Sequence, residues 1–295
     1  MRRLLLAVLI AMACAAPSHA ADPLKVVASF SILGDLVRNV GGARVEVVTL
    51  VGANGDAHVF TPAPGDAKRL AAAQVVFVNG LGFEGWLSRL VRASGTKAPI
   101  VTATAGITPR RSGDAHGHGH DADPHAWQSV ANAKVYVANI RDALIKADPA
   151  GKVEYETAST AYLAKLDALD RELRETVARL PAERRKVIST HDAFGYLEQA
   201  YGIDFIAPQG VSTESEASAR DVARIITQVK RLKIPAVFLE NVVDPRLIRR
   251  IAEETGAKIG GTLYSDALTD EKGDAPSYIE MMRHNLRTLA AALAS

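Results

Sequence analysis

The chain carries a single cysteine among its 295 residues. That residue, Cys14, falls within the first twenty positions. The remainder can build neither a disulfide nor a thiolate metal site, so any metal it holds must be bound by nitrogen and oxygen. A dominant charge is also missing, with 35 Lys+Arg against 33 Asp+Glu. Removing residues 1–20 takes away Arg2 and Arg3 and no acid, which leaves 33 of each sign. With no basic stripe, nucleic acid and the membrane surface are excluded as partners. Long hydrophobic runs are absent as well. The stretch from Leu4 to Ala13 falls short of the roughly 20 residues that a bilayer demands.

That short stretch has another reading. Arg2 and Arg3 give a basic start, and Ser18-His19-Ala20 offers small residues for cleavage, the pattern of an export signal over residues 1–20. The protein is therefore expected in the periplasm. Ala11-Met12-Ala13-Cys14 lacks the leucine of a lipid-attachment box, so lipid anchoring at Cys14 is set aside in favour of cleavage after Ala20.

What the sequence does have is alternation. Apolar runs at Lys25–Ser29, Val45–Val51, Val75–Val78 and Ile100–Ala103 are separated by helical patterns at Ile32–Val40, Pro64–Ala73 and Gly85–Ala93. After two longer helical patterns, strands resume at Lys186–Ser189, Phe205–Pro208, Ala236–Leu239 and Lys258–Leu263. Helices are expected at Ser218–Leu232, Pro245–Glu254 and Ser277–Ala294. Two blocks of alternating strands and helices predict an α/β protein of two lobes, each with a parallel sheet. The expected division is an N-terminal lobe over residues 21–147, a connector over 148–180 and a C-terminal lobe over 181–295.

The connector reads as one long helix. Asp148-Pro149 resembles a helix start, and Pro181 ends the pattern. Between them Tyr162, Leu166, Leu169, Leu173, Val177 and Leu180 recur at helical spacing as a single apolar stripe. A helix from Pro149 to Leu180 would span about 48 Å at 1.5 Å per residue, enough to run along both lobes. The competing arrangement packs it wholly on one.

Four of the eight histidines lie in His116-Gly117-His118-Gly119-His120-Asp121-Ala122-Asp123-Pro124-His125. Neutral imidazole is the commonest protein ligand for zinc and its neighbours, and the intervening glycines mark a loop, over residues 114–122, rather than a fixed cage. His58 follows the strand Val45–Val51, His191 follows Lys186–Ser189, and Asp266 follows Lys258–Leu263. Ligands of open α/β sheets bind beyond the carboxyl ends of strands, where all three fall. His284, in the last helical pattern, is expected to face solvent.

The segments Gly55-Asp56-Ala57-His58, Asp123-Pro124-His125-Ala126-Trp127, His191-Asp192-Ala193-Phe194-Gly195-Tyr196 and Ser265-Asp266-Ala267-Leu268 resemble the metal-ligand motifs of the zinc/manganese substrate-binding proteins of ABC transporters. The first continues as Val59-Phe60, where such proteins often carry acidic or tyrosine residues. A Ser-Thr-Glu segment is present as Ser212-Thr213-Glu214, without the proline that often follows. The resemblance implies two α/β lobes, each with a mostly parallel four-stranded sheet, joined by one long rigid helix. It also implies one metal ion in the cleft, held by His58 and His125 from the first lobe and by His191 and Asp266 from the second. Asp192 and Glu240 are available as acceptors behind the ligands.

Three imidazoles and one carboxylate suit Zn²⁺, with Mn²⁺ as the alternative cargo. Binding is expected to weaken below about pH 6.5, where free imidazoles protonate. His116, His118 and His120 would then act as an accessory collector. The implied partner is an ABC-transporter membrane permease, with a periplasmic metallochaperone as a further candidate, and the protein is expected to be a monomer. Two rivals remain open, a zinc-dependent hydrolase and an adhesin or metal buffer. Against the hydrolase, the chain has no His-Glu-x-x-His segment.

Overall fold

Valine-rich runs such as Leu24-Lys25-Val26-Val27-Ala28-Ser29-Phe30 are buried at nearly every position, as strands are when helices cover both faces of a parallel sheet. The computed structural model describes residues 22–111 and 122–294. Its first sheet contains β1 (Leu24–Phe30), β2 (Val45–Val51), β3 (Val75–Val78) and β4 (Ile100–Thr102). The second contains β5 (Lys186–Ile188), β6 (Asp204–Ile206), β7 (Ala236–Glu240) and β8 (Lys258–Leu263). All pairings within these strands are parallel. The strand orders, β2-β1-β3-β4 and β6-β5-β7-β8, are the same topology repeated. In each sheet the order reverses beside the first strand, which opens a crevice at the carboxyl ends.

Helices α1 (Ser31–Gly41), α2 (Pro64–Ala72) and α3 (Leu87–Ser94) connect the first four strands. α4 (Val130–Ala147) and α5 (Lys152–Ala178) follow them. α6 (Gly195–Tyr201), α7 (Ala219–Leu232) and α8 (Arg246–Thr255) link the second four, and α9 (Tyr278–Ala294) closes the chain. Among the described residues no helix is long and apolar enough to cross a membrane.

The connector starts later than its sequence suggests. Pro149–Gly151 form a turn of 3-10 helix and the α-helix begins at Lys152. At Gly151 a side chain would meet Arg44, Asp148 and Tyr155 within 2.7 Å, because Asp148 there accepts from both Arg44 and the Tyr155 hydroxyl. The 27 residues of α5 span about 40 Å. Its buried stripe runs through Tyr155, Tyr162, Leu166, Leu169, Leu173 and Val177. It packs on α1 and α4 from the first lobe and on α6 and α9 from the second. The arrangement confined to one lobe is thereby ruled out.

One apolar core continues from the first sheet past α5 to Val187, Ala236 and Phe238. Ile188 and Val237, the next positions on those strands, point instead into a smaller core under α7 and α8, as strand alternation requires. His284 departs from expectation. Because α9 packs along β8, its Nε2 lies 3.0 Å from the Thr262 carbonyl and its ring meets Tyr264.

Candidate metal centre

Three loop segments and one bridging segment bring the chemistry together. His58 stands in the loop after β2, His125 just before a 3-10 turn (Ala126–Gln128) leading to α4, His191 just past β5, and Asp266 just past β8. His191 is held extended by a parallel bridge to Gln209. The lobes meet around these segments: the Ser265 carbonyl accepts from both Trp127 Nε1 (2.9 Å) and Gln128 Nε2 (2.8 Å). Asn54 N–H donates to the Leu268 carbonyl at 2.8 Å.

All four side chains are buried, and one ligand atom from each lies within 4.8 Å of every other. His58 Nε2 is 3.3 Å from His125 Nε2 and 3.4 Å from Asp266 Oδ2. Asp266 Oδ1 is 3.5 Å from His125 Nε2, and Oδ2 is 3.2 Å from His191 Nε2. Bonds of about 2.05 Å to a tetrahedral zinc set neighbouring donors roughly 3.3 Å apart; the four distances above lie close to that, with Asp266 meeting His125 through one oxygen and His58 and His191 through the other. Both Asp266 oxygens and His191 Nε2 are buried with no hydrogen bond from the protein. Such groups are expensive unless something outside the protein satisfies them. The donor set therefore fits a divalent cation of the zinc type. Phe83 walls the cluster edge-on against His58, and Trp127 packs against His125.

Carboxylates behind the rings aim them. Asp123 Oδ1 is 2.8 Å from His125 Nδ1, and Glu240 Oε2 is 2.7 Å from His191 Nδ1. A proton on each Nδ1 leaves Nε2 free to ligate. Glu240 Oε1 also takes the backbone N–H groups of Thr190 and His191. Burial alone would lower the histidines' proton affinity. Even so, Asp266 and Asp123 push His125 up to about 9, and Glu240 and Asp266 hold His191 well above its ordinary value. At His58 burial wins and its pKa falls. Burial would raise Asp266, but the imidazoles of His191 and His125 keep it well below the usual carboxylate range. The same balance lowers Glu240, chiefly through His191.

Of the residues singled out from sequence, His58, His125, His191 and Asp266 come together, with Glu240 directly behind His191. Asp192 sits at a bend, where the Ala193 N–H closes onto the His191 carbonyl and the Asp192 N–H donates to Gly210. Burial and Asp123 raise its carboxyl pKa against the charges of Arg110, His125 and His191, but it is Asp123 and Glu240 that stand against the ring nitrogens. Asp123 does for His125 what had been expected of Asp192. Its signal, an aspartate two positions before a histidine of the cluster, was in the sequence. His116, His118 and His120 lie outside the described residues.

Two repeated sheets with a buried three-imidazole, one-carboxylate cluster between them define a two-lobed binding protein for a metal cation. The family described as zinc-uptake complex component A, periplasmic, matches residues 26–292. The chain belongs to this family of metal-binding substrate-binding proteins of ABC transporters, which bind rather than turn over their cargo. In sequence it is 37% identical over 278 residues to the iron-binding protein YfeA of Yersinia pestis, covering 93% of this chain and 88% of that protein. It is 35% identical over 290 residues to the manganese-binding lipoprotein MntA of Halalkalibacterium halodurans, covering 97% of this chain and 95% of that one. In structure it is similar to the periplasmic zinc-binding protein TroA of Treponema pallidum, with TM-score 0.87 and 31% identity over 92% of this chain and all of that chain. The lipoprotein among these relatives overturns the expectation that set lipid anchoring at Cys14 aside. An atypical residue before the cysteine does not carry that exclusion.

Proposed function

We propose that this protein captures zinc outside the cytoplasmic membrane and delivers it, as a monomer, to the permease of an ABC transporter. His58, His125, His191 and Asp266 are the ligands, and lobes of residues 21–147 and 181–295 close over the ion. The observation that carries the reading is the convergence of three Nε2 atoms and one carboxylate within 4.8 Å. Three nitrogen donors to one carboxylate favour zinc over manganese, which suits oxygen-rich sites. The name of TroA supports zinc.

Manganese is the second reading. It is favoured by the name of MntA and by both Asp266 oxygens facing the imidazoles, which admits a fifth bond. Metal analysis of the purified protein followed by competitive titration of Zn²⁺ against Mn²⁺ separates the two. Zinc is expected to be retained and to win, and dominant manganese binding overturns the choice. The histidines at 116, 118 and 120 are proposed as a collector, because their run leads directly into Asp123-Pro124-His125. Deleting residues 114–121 should remove weak extra sites and leave the tight one. Loss of the tight site would move the ligands into the loop.

A further inference from the structure

The two ligand histidines of the first lobe share a local device. Each follows an aspartate by two positions, and that aspartate's Oδ1 accepts the histidine's own backbone N–H, at 2.9 Å for Asp56 and His58 and 3.0 Å for Asp123 and His125. Turns of this kind fix the chain locally through a short polar side chain. The two sites differ in what holds the other oxygen. Asp123 Oδ2 pairs with Arg110 of the same lobe at 3.1 Å. Asp56 Oδ2 accepts from the Thr213 hydroxyl at 2.7 Å, and Thr213 belongs to the opposite lobe, in the loop between β6 and α7. It sits in Ser212-Thr213-Glu214, the segment for which the ligand set has no use.

We infer that Thr213 is a positioning residue for metal release. By holding Asp56 across the cleft it keeps His58 against the ion. The inference rests on the ion being captured by His58 and its three partners. Ties that end on main-chain carbonyls, Trp127 Nε1 to Ser265 and Asn54 N–H to Leu268, also join the lobes. Thr213 differs in that its tie ends two residues from a ligand and is made by side chains alone. A bond that spans the cleft exists only once the lobes have met. It therefore lengthens the stay of the ion and leaves its arrival unchanged, the usual signature of an affinity set by dissociation. Hydrogen bonds onto a carboxylate belong to the stronger class. This one is half-buried, and its loss is expected to speed release about five- to tenfold.

The test compares Thr213→Val, which keeps the shape and removes the hydroxyl, with Thr213→Ser, which keeps the hydroxyl. Each full-length protein is loaded with zinc and chased with excess chelator in a stopped-flow instrument. The expected result is about five- to tenfold faster release from T213V, with association within about twofold of wild type. T213S should release at the wild-type rate, and the metal-free melting temperature of T213V should be unchanged. Release from T213V at the wild-type rate overturns the inference, and so does equally fast release from both variants. A wild-type chain that takes up no zinc overturns instead the capture on which the inference rests.

Discussion

At the scale of single residues, the carboxylates behind the rings set the terms of binding. Glu240→Gln keeps an acceptor for the Thr190 and His191 N–H groups but removes the charge at His191 Nδ1. Zinc affinity should fall about 10- to 100-fold, and competitive titration against a chelator of known affinity measures it. Protons compete with the ion at His125 and His191. A pKa raised in the metal-free state means that the proton is bound below that value and must leave when the metal enters. With His125 pushed up to about 9, affinity should decline from that pH downward, not from the 6.5 expected of free imidazole. Calorimetry at pH 7 in buffers of different ionisation enthalpy should show about two protons released per ion; none released would contradict the raised values. The four residues that cluster were legible in the sequence because strand ends and motifs mark them. The difference between Asp123 and Asp192 was not, since both lie near a ligand histidine. It is decided by local backbone geometry: a turn curls Asp123 back onto His125, whereas Asp192 sits at a bend after His191 with its backbone N–H on Gly210.

At the scale of elements, α5 is the part that both lobes need. Leu169 is fully buried in its stripe, and Leu169→Ala should cost about 2–5 kcal/mol. Trp86 and Trp127 both belong to the first lobe, whereas far-ultraviolet circular dichroism reports helices in both. In urea the two signals should shift together in one transition. A dichroism midpoint that moved alone would mean that the lobes unfold separately. Val45–Val51, Val75–Val78 and Lys258–Leu263 emerge where the sequence places them; Val75–Val78, inside its sheet, is a continuous apolar run buried throughout, whereas Val45–Val51 and Lys258–Leu263 are edge strands and only partly buried. α6 left no comparable trace, for a helix of seven residues carries fewer than two turns of pattern. The start of α5 at Lys152 was hidden for another reason. Pro149 suits the first residue of either helical form, and the choice is made by Arg44 closing on Asp148 from 104 residues away.

At the scale of the whole molecule, an ion bound only by the folded chain must stabilise it. At a free zinc concentration 100 times the dissociation constant the gain is about 2.7 kcal/mol. For a protein of this size that raises the melting temperature by about 5–10 °C. Differential scanning calorimetry should show this for wild type and no shift for His191→Ala; an equal shift in the variant would place the ion elsewhere. The repeated sheet topology was foreseeable from two blocks of alternation, whereas a core continuous from one lobe into the other was not, because packing across α5 leaves no periodicity of its own. The carboxylates that face His125 and His191 from behind have a last consequence, for the dialogue with the transporter. If each of these rings surrenders a proton as a divalent ion arrives, loading exchanges two positive charges for two. The filled and empty proteins then present the same net charge, and a permease that must distinguish them has to feel their shape.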